Sequence, residues 1–140
     1  MAGREKLFVS GAWSARTQLR NCAMALWERG YTIVGRWFDA PHGARVDVEN
    51  LIGFDAVRDC DAVVAIATDP HYPYQGTLVE IGMAVALRKP VVALVPRGRG
   101  GAVGTCIYAR ASQSGVTLVE SWLGVEAALA QMRAPIPSAQ

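Results

Sequence analysis

The chain is 140 residues long, enough for one domain with its own core but short for two. Hydrophobic residues make up 51% and charged residues 19%, which excludes a disordered chain. The net charge of +2 comes without a basic block, so nucleic acid is not an expected partner. Cys22, Cys60 and Cys106 are odd in number, far apart and outside any C-x-x-C pair. Neither a zinc site nor a disulfide framework is expected, and a reducing, cytoplasmic location is. No metal or other cofactor is expected. Met1 to Lys6 is polar and lacks an apolar signal region. No apolar run reaches ~18 residues, so no transmembrane helix and no membrane partner are expected.

In chain order, Lys6 to Gly11 reads as a first strand. Ser14 is placed to cap a helix that runs to about Arg29, with Leu19, Cys22, Ala23, Leu26 and Trp27 on one face. Gly30 ends it, and Tyr31 to Trp37 reads as a second strand. Phe38 to Val46 is a loop, after which Asp47 or Asn50 caps a short helix to about Asp59. Ala62 to Ala67 is a continuous apolar run, as a strand buried on both faces should be. Thr68 to Gln75 is a loop holding Pro70 and Pro73, Thr77 to Arg88 a helix, and Pro90 to Val95 another buried strand. Pro96 to Gly104 is rich in Gly and Arg, and a short helix is expected over Thr105 to Arg110. Gly115 to Val119 reads as a last strand and Ser121 to Met132 as a last helix.

Strand and helix alternate throughout, which predicts an α/β fold: a doubly wound, five-stranded parallel sheet with helices on both faces. By resemblance to small flavodoxin-like and Rossmann-like domains, the expected strand order is 2-1-3-4-5. The domain is expected over residues 1–133, with 134–140 a loose tail.

Ligands of such sheets bind outside the carboxyl ends of the strands. Three segments arrive there: Ser10 to Ser14, Thr68 to Thr77, and Pro96 to Ile107. The small residues Ser10, Gly11 and Ala12 admit a ligand to the backbone at a helix start, or simply turn the chain. There is no G-x-G-x-x-G and no Walker loop. Glu80 lies early in an apolar helix, with Ile81, Ala84, Val85 and Leu87 around it. A carboxylate there either complements the helix dipole or does chemistry. Gly76 and Gly82 permit close packing or a close ligand. Asp69 stands at the correct end to orient a hydroxyl or move a proton, or to open a Thr-Asp-Pro turn. His71 reads as a surface residue. Trp13, Tyr72 and Tyr74 either wall a base or pack the loop. Thr105 meets a phosphate or caps a short helix.

The stretch from Asp61-Ala62-Val63-Val64-Ala65 through Gly76-Thr77-Leu78-Val79-Glu80-Ile81-Gly82-Met83-Ala84 to Lys89-Pro90-Val91-Val92 resembles the nucleoside 2-deoxyribosyltransferase family and the related 2'-deoxynucleoside 5'-phosphate N-hydrolases. The start, Leu7-Phe8-Val9-Ser10-Gly11-Ala12-Trp13, resembles the family's first strand and turn. The resemblance implies that Glu80 attacks C1' of a sugar and forms a covalent glycosyl-enzyme, as retaining glycosidases do. It implies catalytic residues Glu80 and Asp69. It implies a substrate pocket of Ser10, Gly11, Ala12, Trp13, Arg16, Tyr74, Gly76, Thr77, Thr105 and Ile107. Arg16 and Thr105 fall near the family's 5'-phosphate contacts, which favours a nucleoside 5'-monophosphate over a free nucleoside; hydrolysis is the expected reaction, with base exchange as the alternative. The segment Thr105 to Tyr108 matches one that a neighbouring subunit lends, so a homodimer or higher homo-oligomer is implied. The chain departs from the family at Gly53, where an Asp is usual.

The expected activity is therefore cleavage or transfer at the N-glycosidic bond of a nucleoside or its 5'-monophosphate. Gly53 also keeps open a rival of another class, a nucleotide-binding sensor without turnover. A cytokinin-activating type of phosphoribohydrolase shares Gly-Thr-x-x-Glu, but Tyr74-Gln75 stands where its Pro-Gly-Gly should.

Overall fold

The computed structural model describes residues 5–39, 52–111 and 113–133. The elements run β1 (Lys6–Gly11), α1 (Arg16–Glu28), β2 (Thr32–Val34), α2 (Ile52–Asp59), β3 (Ala62–Ile66) and α3 (Gln75–Ala86). They continue as β4 (Val91–Leu94), α4 (Gly101–Gly104), α5 (Ile107–Arg110), β5 (Val116–Val119) and α6 (Trp122–Arg133). Short 3-10 turns, Trp13–Ala15 and Trp37–Asp39, follow the first two strands. The five strands are all parallel, in the order β2-β1-β3-β4-β5 expected from the resemblance to flavodoxin-like and Rossmann-like domains.

Every residue of β3 and β4 is buried, which is why both read as unbroken apolar runs. The core lies in two layers, because successive side chains of a strand point to opposite faces. Leu7, Val9, Val64 and Val92 pack with Leu19 and Leu26 of α1 and Val125 and Leu129 of α6. Phe8, Val63, Val91 and Ala93 pack with Val57 of α2 and Ile81 and Ala84 of α3. Each fully buried Phe or Leu contributes about 1.5–3 kcal/mol relative to exposure. The alternation has a consequence for chemistry. Ser10 follows Phe8 by two residues, so it faces α3 rather than α1.

Several boundaries differ from expectation for local reasons. Ser14 does not cap α1; it lies inside the 3-10 turn, and Ala15 is the residue before the helix. The second strand ends at Val34 because Gly35 adopts φ +62°, and a Cβ there would sit 2.4 Å from the Cβ of Ala56. Trp37 consequently leaves the strand and enters a 3-10 turn. The α3 helix starts two residues early, at Gln75, after Tyr74 at φ 49°. It ends in a Schellman motif: Arg88 takes a left-handed φ of 57°, and the Lys89 and Arg88 N–H groups donate to the carbonyls of Ala84 and Val85. The helix expected over 105–110 is shorter, Ile107–Arg110, with Cys106 extended before it, and a further helical turn, Gly101–Gly104, forms in the Gly- and Arg-rich stretch that precedes it. The proposed caps Asp47 and Asn50 and the tail from Ala134 lie outside the described residues.

Candidate active site

In this strand order the topological switch point lies between β1 and β3, where ligands of open α/β sheets enter. The β1–α1 turn, the 68–77 loop and the start of α3 meet there. Thr77 is the third residue of α3 and Glu80 follows it by three, so both share the helix face turned to β1. Ser10 and Thr77, at 1% and 3% exposure, are the two buried polar side chains among the described residues. Their hydroxyls lie 3.0 Å apart, and Ser10 Oγ lies 2.7 Å from Glu80 Oε1. A hydroxyl has one proton. With Glu80 ionised, Ser10 must donate to the carboxylate, and Thr77 must then donate to Ser10. The result is a two-step hydroxyl relay ending on one carboxylate oxygen.

The second oxygen faces α2. A Cβ built on Gly53 would lie 2.1 Å from Glu80 Oε2 and 3.2 Å from its Cδ. The space that a side chain at position 53 would fill is thus taken by the Glu80 carboxylate itself. Burial pushes the Glu80 carboxyl above its ordinary value, and the Ser10 hydrogen bond pulls the other way without cancelling it. No charged group among the described residues enters that balance. Glu80 is half-buried, so a reacting atom can still reach it.

The other expected site residues divide into neighbours of this relay and parts of the scaffold. Gly11 is required for packing, since a Cβ there would meet the Leu19 side chain at 2.8 Å and the Ile66 carbonyl at 3.0 Å. Ala12 is buried and its carbonyl accepts the Ala15 N–H. Trp13 is half-buried, with the Arg16 guanidinium 4.9 Å from its ring centre and Trp37 at 5.8 Å. Trp37 is held in turn by its indole N–H donating to the Val9 carbonyl at 2.8 Å. This Trp37 partner was not foreseen; the available signal was an aromatic residue directly after a strand that ends at the carboxyl edge.

In the 68–77 loop the local roles dominate. Asp69 is exposed and accepts the His71 N–H at 2.9 Å, the signature of an Asx turn. Tyr74 is buried and its phenol oxygen accepts the Asp69 N–H at 3.0 Å. Tyr72 packs edge-on against it at 4.8 Å. Gly76 borders open space, with nothing within 4 Å of a built Cβ. Thr105 is exposed and donates to the Gly101 carbonyl at 2.6 Å. Ile107 is 73% exposed, beside Tyr108 at 77%.

These features define an α/β protein with a desolvated carboxylate at the switch point of a parallel sheet. Residues 49–114 match the family model of nucleoside 2-deoxyribosyltransferases. The fold is similar to that of the CMP N-glycosidase BcmB of Clostridium botulinum, with a TM-score of 0.61 and 19% sequence identity, covering 91% of this chain and 99% of that one. No curated protein matches the chain significantly. The matched stretch contains the motif from Gly76 to Ala84 that carried the resemblance. No helix among the described residues is long and apolar enough to cross a membrane.

Proposed function

We propose that this chain cleaves the N-glycosidic bond of a nucleoside 5'-monophosphate, with Glu80 as nucleophile and water as acceptor. The observation that carries the reading is the relay from Thr77 through Ser10 to Glu80 Oε1. A buried hydroxyl pair spent on one carboxylate is costly for a scaffold and useful for aiming a nucleophile. In the first step a Glu80 oxygen bonds to C1' and the C1'–N bond breaks. The base leaves with the electron pair and takes up one proton. In the second step water adds to C1' and releases one proton, which balances the one the base took up, while the ester to Glu80 breaks and the carboxylate is regenerated. Desolvation favours the first step, because an ionised carboxylate held away from water attacks without first shedding a hydration shell.

The nucleotide preference is supported by the structurally similar CMP N-glycosidase, and by Arg16 beside the β1–α1 turn. Asp69 enters this proposal as a turn former rather than as an acid. A second reading, transfer of the sugar to an acceptor base within a homo-oligomer, is favoured by the family match and by exposed Ile107 and Tyr108 on α5. One assay separates the readings. The protein is incubated with a panel of nucleosides and 5'-monophosphates, ribo and deoxyribo, with and without an acceptor base. Hydrolysis gives free base without acceptor, whereas transfer gives a new nucleoside. Glu80→Gln is expected to lower either activity by more than about 10³-fold with the fold intact, and full activity in that variant would overturn the proposal.

A further inference from the structure

We propose that Gly53 is the positioning residue of this site: its missing side chain creates the notch in which the Glu80 carboxylate lies while Ser10 holds it. Gly53 stands near the start of α2, where glycine is among the poorest helix formers. Its backbone does not require glycine, for it is not among the residues with positive φ. What does require it is Glu80. The three nearest atoms that a Cβ at 53 would meet are Oε2, Cδ and Cγ of Glu80, at 2.1, 3.2 and 3.9 Å. A Cβ contact under about 3 Å must be relieved, and the terminal carboxylate is the mobile partner. Any side chain at position 53 therefore swings the carboxylate out of its notch and away from Ser10. Gly53 and Glu80 form one device, in which α2 supplies space rather than an acid. This inference goes beyond the proposed reaction and rests on it only for what Glu80 does to a substrate; the packing itself is independent of any substrate.

Among the described residues, Ser10 of β1 and Gly53 of α2 lie against the Glu80 carboxylate, Thr77 of α3 reaches it through Ser10, and none of them is charged. Displacement from the notch thus exchanges burial for solvent and breaks no ion pair among the described residues. Since burial is the larger influence on this carboxyl, its titration must move down toward the ordinary carboxylate range.

The test is a carbon-13 NMR titration of the Glu80 side-chain carboxyl, assigned by its absence in Glu80→Gln, in the wild type, Gly53→Ala and Ser10→Ala. Gly53→Ala is expected to lower the midpoint, and Ser10→Ala to raise it. In the base-release assay Gly53→Ala is expected to lose about 10²-fold in kcat with KM little changed, the scale of a reacting group displaced by an ångström. Melting should be unchanged or higher, because alanine is the better helix former. Adding Ser10→Ala to Gly53→Ala should cost little more, since the contact is already gone. A wild-type midpoint for Glu80 in Gly53→Ala overturns the proposal, as does full additivity of the two substitutions. If the wild-type protein releases no base from any nucleotide, that failure belongs to the proposed reaction, and the titration alone still decides the role of Gly53.

Discussion

At the amino edge of the sheet, Asp61 accepts the Lys6 backbone N–H at 2.8 Å, and Lys6 Nζ reaches Asp59 at 3.1 Å. Lys89 Nζ donates to the carbonyls of Arg58 and Cys60, the latter at 2.7 Å, and so closes the end of α2. At the carboxyl edge, two buried hydroxyls and a half-buried carboxylate form a chain with no cation in it. The two edges belong to one motif, for Asp61, Thr77, Glu80, Lys89 and Pro90 lie within thirty residues of each other. Both edges use polar groups, but with opposite electrostatics. The amino edge pairs charges with backbone and solvent and gains stability. The carboxyl edge strips a charge of water, which costs stability and, in the proposed reaction, readies the carboxylate for attack. Residues of one motif are therefore divided between holding the strand and, in the proposed reaction, doing chemistry at its far end.

This contrast can be broken by substitution. The largest effect after loss of Glu80 itself is expected from Ser10→Ala. It removes the donor to Oε1 and leaves Thr77 without its buried partner. Activity should fall by about 10²-fold, in line with loss of one preorganised donor. The acid limb of the pH profile should move up, because Ser10 is what pulls the Glu80 carboxyl down. Steady-state assays across pH measure both.

Lys89→Met should separate the edges in the reverse sense. It removes the two hydrogen bonds to the carbonyls of Arg58 and Cys60 while keeping an apolar stem. Denaturant unfolding is expected to show a loss of about 1–2 kcal/mol, the scale of a charge-assisted hydrogen bond that is partly solvated. Activity at temperatures well below melting should be retained.

A smaller effect is expected in the stability of Glu80→Gln. Burial raises the Glu80 carboxyl in the folded chain above its unfolded value. That linkage favours folding while the group is protonated, below the unfolded value, and the advantage is lost as pH rises through the folded one. Glutamine is neutral throughout. The variant should therefore melt higher than the wild type at neutral pH by an amount that vanishes in acid. Calorimetry at two pH values reads the sign.

The fold was largely legible because its signals are local. The apolar runs of β3 and β4 and the strand–helix alternation need only neighbours in sequence, whereas the strand order, observed as expected, came from the resemblance to flavodoxin-like and Rossmann-like domains. Boundaries failed where a backbone angle decides: Gly35 turns the chain out of β2, and Ser14 falls inside a 3-10 turn. For the site, the stretch from Gly76 to Ala84 singled out Glu80 and Thr77. Ser10 was read as a small residue for ligand approach, yet its hydroxyl lies on Glu80. That contact joins residues 70 positions apart and exists only because β1 pairs with β3 beneath α3. Gly53 was legible only as a missing acid. Its actual contact requires α2 to pack against α3, which no local spacing encodes.

The central claim, a nucleophilic Glu80, is tested most directly by acid-quenching the protein during turnover of a nucleoside 5'-monophosphate and digesting it with trypsin. The peptide from Asp59 to Arg88 carries Glu80. The account predicts a sugar-phosphate adduct on Glu80 of that peptide, accumulating as free base appears and absent from Glu80→Gln. Release of base with no adduct on Glu80, or with the adduct on another residue, would contradict it.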